Sequence, residues 1–439
     1  MKNELIRFFK GPDLPPETRH TYRRHMAQVF CQATAEGILA NAPVIALMGL
    51  GSPNWQMALE KTISSIGLFA VIYFGGLMAV RKKMPFFFYP GMGYAICALL
   101  MGMTENPFLF LTMWGCGTLF DNMVRPAMAA IERFNYPVEN RGAIAGEVRK
   151  WSNIVFLCSV LLSAALLQIV ADEPKLMIKI QMLTAAGLLA TGCLIFRTIK
   201  VKEDLELIRK RIPVSAKRIL VDSYRIVRND VRFLRYLAIG FFDSFGGMVS
   251  SAFIPVLLTQ NLKFSYIGTA VLIHIIPCGM GFLNTGYLGQ WIDKVSTWKS
   301  WGWIRLGWAA DSLFLAAAYF AVVCCPAIAP IFPFLSSISR GAIQGGSYIL
   351  WWEVGVNHFA PPGGDTSRYM GIILFLTGLS QFPAPALGAW LITSTNVGVV
   401  MLVGGAIELL SSALSFREHH REQQVDRLET MTTYEHSFD

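Results

Sequence analysis

The chain has 439 residues, 54% of them hydrophobic and 15% charged, with a mean hydropathy of +0.45 and a formal net charge of +9. A soluble fold of this length cannot hide so much apolar surface, and the apolar runs are continuous rather than alternating, which excludes both a soluble globular protein and a transmembrane β-barrel. What remains is an all-α polytopic membrane protein, each helix needing roughly 20 apolar residues to satisfy its backbone inside a bilayer.

Residues 1–20 are polar and basic, with Pro15-Pro16, and carry no cleavable signal pattern. About 12 spans follow, predicted at 24–50, 57–80, 85–104, 106–132, 150–171, 176–197, 234–260, 265–289, 300–323, 328–356, 370–393 and 396–416. They form an N-terminal half over 1–197, a linker over 198–233, a C-terminal half over 234–416 and a tail over 417–439. Lys and Arg collect in alternate loops: Arg81, Lys82 and Lys83, then Arg133, Arg141, Arg149 and Lys150, then the linker from Arg197 to Arg235, then Lys294, Lys299 and Arg368. The opposite loops and their flanks hold only Lys61, Lys175, Lys179 and Lys263. This asymmetry predicts cytoplasmic termini in a plasma (inner) membrane and accounts for the basic excess without a nucleic-acid partner. In the linker, Ile219, Leu220, Tyr224, Ile226 and Val227 interleave with Lys217, Arg218, Arg225 and Arg228, the pattern of an amphipathic helix on an anionic leaflet.

Charges inside spans are costly unless they face a cavity or a partner, so each is a candidate for function. In span one Glu36 lies with Gln32 one turn before it and Asn41 beyond. It reads as a proton-coupling carboxylate, with a structural carboxylate as the other reading; Asn41 is a candidate substrate contact. Span four carries Asp121 and Arg125 on one face, followed by Pro126 and a kink. Such a pair either neutralises itself or offers Asp121 to protons and Arg125 to an anionic substrate. Asp243 in span seven is a candidate coupling or gating carboxylate, and His274 in span eight a candidate relay. Span ten has the strongest stripe, Arg340, Gln344, Ser347 and Trp351 beside Gly341, Gly345 and Gly346. Its guanidinium, amide and indole suit a carboxylate, phosphate or ring, and Glu353 lower down suits a gate. Asp311 in span nine and Glu408 in span twelve read as helix-packing or oligomer contacts; Thr377 and Gln381 are weaker cavity candidates.

Eight cysteines, at 31, 97, 116, 158, 193, 278, 324 and 325, match no metal or haem spacing and read as small buried hydrophobes. His419-His420 makes no metal site, and phosphate loops and hydrolase motifs are absent, so neither an enzyme nor a cofactor is expected.

The halves repeat. Pro43 and Gly67 correspond to Pro255 and Gly279 at an offset of 212, and Pro137 corresponds to Pro361 at 224. Gly76, with Arg81, Lys82 and Lys83, corresponds at 213 to Gly289-Gln-Trp-Ile-Asp293-Lys294, which Lys299 follows. A glycine, three spacers, an acid and a base between two membrane helices resembles the loop joining the second and third helices of each half in the major facilitator superfamily. Val80 replaces the usual acid of the first copy, so Gly289, Asp293 and Lys294 are expected to carry more of the gating. The run from Arg340 to Gln344-Gly345 resembles that family's span-four motif, with one extra residue and in the other half. The family's drug-antiport motif is missing from span five, where the run starts Ser159-Val-Leu-Leu, and only a loose relative, Pro383-Ala-Pro385-Ala-Leu-Gly388, stands in span eleven. The resemblance implies two pseudo-symmetric six-helix halves around a cavity lined by spans one, four, seven and ten. It also implies alternating-access transport, with H⁺ as the expected coupling ion, and the acids, bases and aromatics of that cavity favour a small polar or zwitterionic organic solute. A membrane sensor or assembly protein, a lipid or lysolipid flippase, and a membrane-embedded transferase are the other readings.

Overall fold

A computed structural model describes residues 16–78, 81–137, 141–201, 216–350, 358–359 and 366–435, and no strand occurs among them. Nine helices among the described residues are long and apolar enough to cross a membrane. Met57–Met78, Pro107–Asn135 and Ile331–Ile349 lie where spans two, four and ten were expected. Twelve spans therefore run in sequence order. Span one is Pro16–Leu39 continued to Gly49, and spans two to six are Met57–Met78, Met84–Met103, Pro107–Asn135, Arg141–Ile169 and Lys175–Arg197. Span seven is Val231–Asn261, eight Tyr266–Lys294, nine Thr297–Cys324, ten Ile331–Ile349, eleven Thr366–Ser394 and twelve Val397–Glu435. The linker helix occupies Ala216–Asn229.

Local chemistry sets several boundaries. Asn106 accepts from the backbone N–H of Phe108 at 2.9 Å, with Pro107 at the first helical position of span four. Asp230 accepts from the Phe233 N–H at 2.8 Å and so divides the linker helix from span seven. Ser265 and Ser296 cap spans eight and nine in the same way. The expected polar tail over 417–439 begins instead as a helical continuation of span twelve, through Glu435.

Spans one and seven break alike. Each proline, Pro43 and Pro255, lacks an N–H and crowds the carbonyl a turn earlier. A short turn (Ala42–Val44, Ile254–Val256) follows, then a wide π turn (Ile45–Gly49, Leu257–Asn261). The closing bonds, Leu50 N–H to the Ile45 carbonyl at 3.1 Å and Leu262 N–H to the Leu257 carbonyl at 3.0 Å, obey the same 212-residue offset as the prolines. The repeat is thus one of backbone irregularity as well as of sequence.

Packing defines two ends. Away from the linker, residues of both halves merge into one apolar core that includes Leu39, Ile45, Leu167, Phe253, Leu257 and Val400. The backbone N–H of Tyr266 donates across the halves to Gln168 Oε1 at 3.1 Å. On the linker side the apolar clusters stay within one half. Phe87, Val124 and Phe196 form one; Tyr22, Met26 and Tyr136 another; Phe233, Tyr236 and Trp298 belong to the C-terminal half. Span five meets span eight along 266–275, in its far-side part, and span one meets span seven at 42–44 against 254–256. The halves are joined at the far end and also where span two packs along Thr366–Gln381 of span eleven, while the linker-side apolar clusters remain separate.

Candidate functional site

The gap between the halves is lined in the N-terminal half by a ladder on span one. Gln32 Nε2 donates to Glu36 Oε1 at 2.7 Å and lies 3.5 Å from Asp121 Oδ1 on span four. Arg125 Nε and Nη2 both donate to Asp121 Oδ2, at 3.0 and 2.6 Å. Two acids thus share the Gln32 amide between spans one and four, and Arg125 pairs with one of them. The i, i+4 spacing sets the Asp121–Arg125 pair, while Gly117, one turn before Asp121, admits the Tyr94 ring of span three. Asp121 is buried, but the Arg125 side chain remains 65% exposed, so it is anchored at one end and available at the other. Arg149 of span five lies near enough to act on the charge of both Glu36 and Cys278. His274 lies toward the far end, where its ring meets Phe156 of span five edge-on at 6.1 Å.

The C-terminal half directs its charges inward instead. Asp243, expected in the cavity, is 9% exposed and faces Arg305 of span nine, with Oδ2 3.7 Å from Nε. Arg305 is fully buried, donates through Nη1 to Ser415 of span twelve and lies 4.6 Å from the Trp301 ring. Arg340, expected to meet a substrate, grips Asp311: Nε and Nη2 reach Oδ2 at 3.0 and 2.8 Å, and Nη2 reaches Oδ1 at 3.1 Å. Asp311 also accepts from Ser336. The expectation that Asp311 and Glu408 make packing or oligomer contacts is half corrected, since both carboxyls are buried within their own half and neither faces outward.

The remaining candidates fall in several places. Asn41 is 2% exposed; its amide donates to the Val160 carbonyl at 3.2 Å and to Ser163 at 3.1 Å, which ties span one to span five rather than facing the gap. Gln344 is half-buried against Gly281 of span eight. Ser347 accepts from Trp308 Nε1 at 3.4 Å. The glycines beside this stripe serve close packing: a Cβ on Gly341 would lie 2.7 Å from Met280 Cβ. Thr377 and Gln381 are half-buried. Gly289, Asp293 and Lys294 end span eight on the linker side, the last two exposed, and Lys294 borders a recess with Ser296, Lys299, His419 and Glu422. Trp351, Glu353 and Val80 lie outside the described residues.

Sequence reading does not single out Arg305, and it takes Arg149 for a loop charge. Span five starts at Arg141, eight residues before Arg149 and earlier than hydropathy suggests; Lys61, at the flank of span two as expected, pairs with Glu60 at 3.0 Å. The signal for Arg305 is its position one turn from Trp301 and Trp308 within an apolar stretch.

No protein-family profile and no curated protein matches the sequence. Solved structures do. A variant of the nucleoside transporter NupG superposes with a TM-score of 0.71 at 13% identity, over 90% of this chain and 99% of that one. A bacterial homologue of the human lysosomal transporter Spinster, inward-facing and unoccupied, gives 0.64 at 11%, over 92% and 97%. A D-xylose–proton symporter gives 0.59 at 14%, over 91% and 96%. With its helix order, repeated breaks and halves joined at one end, the chain has the fold of the major facilitator superfamily.

Proposed function

We propose that this protein is a secondary transporter that moves a small polar or zwitterionic organic solute by alternating access, with H⁺ as the coupling ion. The observation that carries the reading is the Glu36–Gln32–Asp121–Arg125 ladder at the gap between the halves. A membrane arginine held at one end by Asp121 and exposed at the other presents a fixed cation to a solute carboxylate or other anionic group. Glu36 shares its amide partner with Asp121, so the two carboxyls compete for Arg125 and for protons; a solute that occupies Arg125 favours proton uptake there. The nucleoside transporter and the sugar–proton symporter among the structural neighbours are consistent with a polar solute.

The basic loops and the linker share one side, which the positive-inside rule makes cytoplasmic. On this reading the linker side opens inward, and Gly289, Asp293 and Lys294, toward the linker-side end of span eight, act as gating residues together with Glu353. Arg340 and Gln344 act on the solute from the C-terminal half only if Arg340 is released from Asp311.

The test compares metabolite pools in cells and medium for expressing cells, non-expressing cells and cells with correctly inserted Glu36→Gln. A solute whose distribution shifts with the parent protein, and stops responding to an imposed proton gradient in proteoliposomes of the variant, supports the reading. A variant that concentrates the same solute with the same gradient dependence removes Glu36 from the coupling.

A further inference from the structure

Glu408 has no role in the ladder described above, yet among the described residues its surroundings hold more carboxyls than guanidiniums. It lies in the middle of span twelve, 3% exposed, in a notch of span seven made by Gly246 and Gly247. A Cβ on Gly246 would stand 3.1 Å from Glu408 Cγ, and one on Gly247 3.1 Å from Oε1, so only glycine leaves room for this carboxyl. Its single hydrogen bond among the described residues comes from Ser312 of span nine, 3.0 Å from Oε2; Ser312 in turn touches Ser250 of span seven at 3.2 Å.

The charged groups around it are Asp243 on span seven, Asp311 and Arg305 on span nine, and Arg340 on span ten. Three carboxyls therefore share this interior with two guanidiniums. Arg305 is given to Asp243 and Arg340 to Asp311. Of the two, Arg340 is the one whose charge reaches Glu408, and Asp311 already takes it through three hydrogen bonds. A buried carboxylate without a cation is more costly than its protonated form, so the missing counter-charge is a proton.

We propose that Glu408 is a second proton-binding site, and that its proton is what leaves Arg340 bound to Asp311. Loss of that proton creates a third carboxylate that competes for Arg340. Span ten, which carries Arg340 and Gln344, is thereby tied to the protonation of span twelve. The role in transport rests on the proton coupling proposed above; the proton itself does not.

The test is infrared difference spectroscopy of the full chain in nanodiscs of neutral phospholipid, with no solute and no gradient. At neutral pH the parent should show a protonated-carboxyl C=O band that disappears in Glu408→Gln and persists in Glu36→Gln. Asp311→Asn should abolish the same band although Glu408 is intact, because Arg340 is then free to pair with an ionised Glu408. A packing role for Glu408 would not produce that second loss. Retention of the band in Glu408→Gln, or in Asp311→Asn, overturns the proposal. If Glu408→Gln does not fold, Asp311→Asn decides alone. A failed transport assay on Glu36→Gln leaves these spectra unaffected, so the two readings fail separately.

Discussion

The Arg340–Asp311 pair allows a stability prediction with a sign and a size. Its side chains are 13% and 6% exposed, and three charge-assisted hydrogen bonds join them. Arg340→Ala leaves the Asp311 carboxylate with Ser336 as its hydrogen-bond donor, beside Glu408 and without its cation. Removing one member of such a pair costs about 3–5 kcal/mol. Asp311→Asn should cost less, roughly 1–3 kcal/mol, because the guanidinium retains an amide oxygen and gains Glu408. Replacing both with apolar residues of similar size, Arg340→Met with Asp311→Leu, should recover most of the loss, since a buried ion pair contributes little over well-packed hydrophobes. Equilibrium unfolding in mixed detergent and dodecyl sulfate micelles, followed by far-ultraviolet circular dichroism, reads all three. If Arg340→Ala lies within about 0.5 kcal/mol of the parent, the value typical of an exposed site, the pair does not hold spans nine and ten together.

Two further predictions concern closure and the linker-side surface. Gly378 of span eleven faces span two, where a Cβ would lie 2.9 Å from Leu68 Cβ and 3.2 Å from the Ser65 carbonyl. Gly378→Val should therefore separate spans two and eleven, and a spin-label pair across them should report a longer distance; an unchanged distance would show that the halves do not meet there. On the linker side, Arg232 Nη2 donates to His358 Nε2 at 2.8 Å, which requires that nitrogen to be unprotonated. Burial, and then the Arg232 charge, hold the His358 ring below its ordinary range. The unfolded chain, with an ordinary histidine value of about 6.5, binds more protons as pH falls below it, so this group's contribution weakens on acidification toward its lower folded value. The melting temperature of His358→Gln should fall less than that of the parent between about pH 7.5 and pH 5.5; parallel slopes would refute the link.

The fold was legible because its determinants are local or periodic. Continuous apolar runs, alternating basic loops and a repeated proline each carry their meaning within a few residues, and Pro43 and Pro255 break their helices at equivalent points. The N-terminal ladder was legible for the same reason: Gln32, Glu36, Asp121 and Arg125 stand at i, i+4 spacing on two spans that a six-helix half brings together. Asp243 and Arg340 show where such reading stops. Their polarity marks them as significant, but helical phase on one span does not say which neighbour it faces. Both turn to span nine, whose partners Arg305 and Asp311 lie 62 and 29 residues away along the chain. Arg149 fails differently, since hydropathy ends a span where charges begin and the helix continues past it.

The two halves thus use a repeated scaffold for opposite electrostatic purposes. In the N-terminal half the cation is exposed and the acids flank it, so the free end of Arg125 is open to whatever enters the gap. In the C-terminal half both arginines are enclosed, and the surplus is of carboxyls. On the proposed reading, a cation fixed at the gap and a surplus acid within the opposite wall respond to different things, one to a solute's negative charge and the other to a proton. Their link is mechanical: span seven, which holds the glycine notch around Glu408, meets span one at the break that follows Asn41. Rotation of the halves about that far-side contact changes the exposure of Glu36 and Arg125 directly. It changes the packing of Glu408 only if span seven shifts against span twelve, where Gly246 and Gly404 bring the backbones within a Cβ's width of each other. A rigid C-terminal half would leave Glu408 protonated throughout the cycle, whereas a span seven that moves on its own would make Glu408 titrate with it.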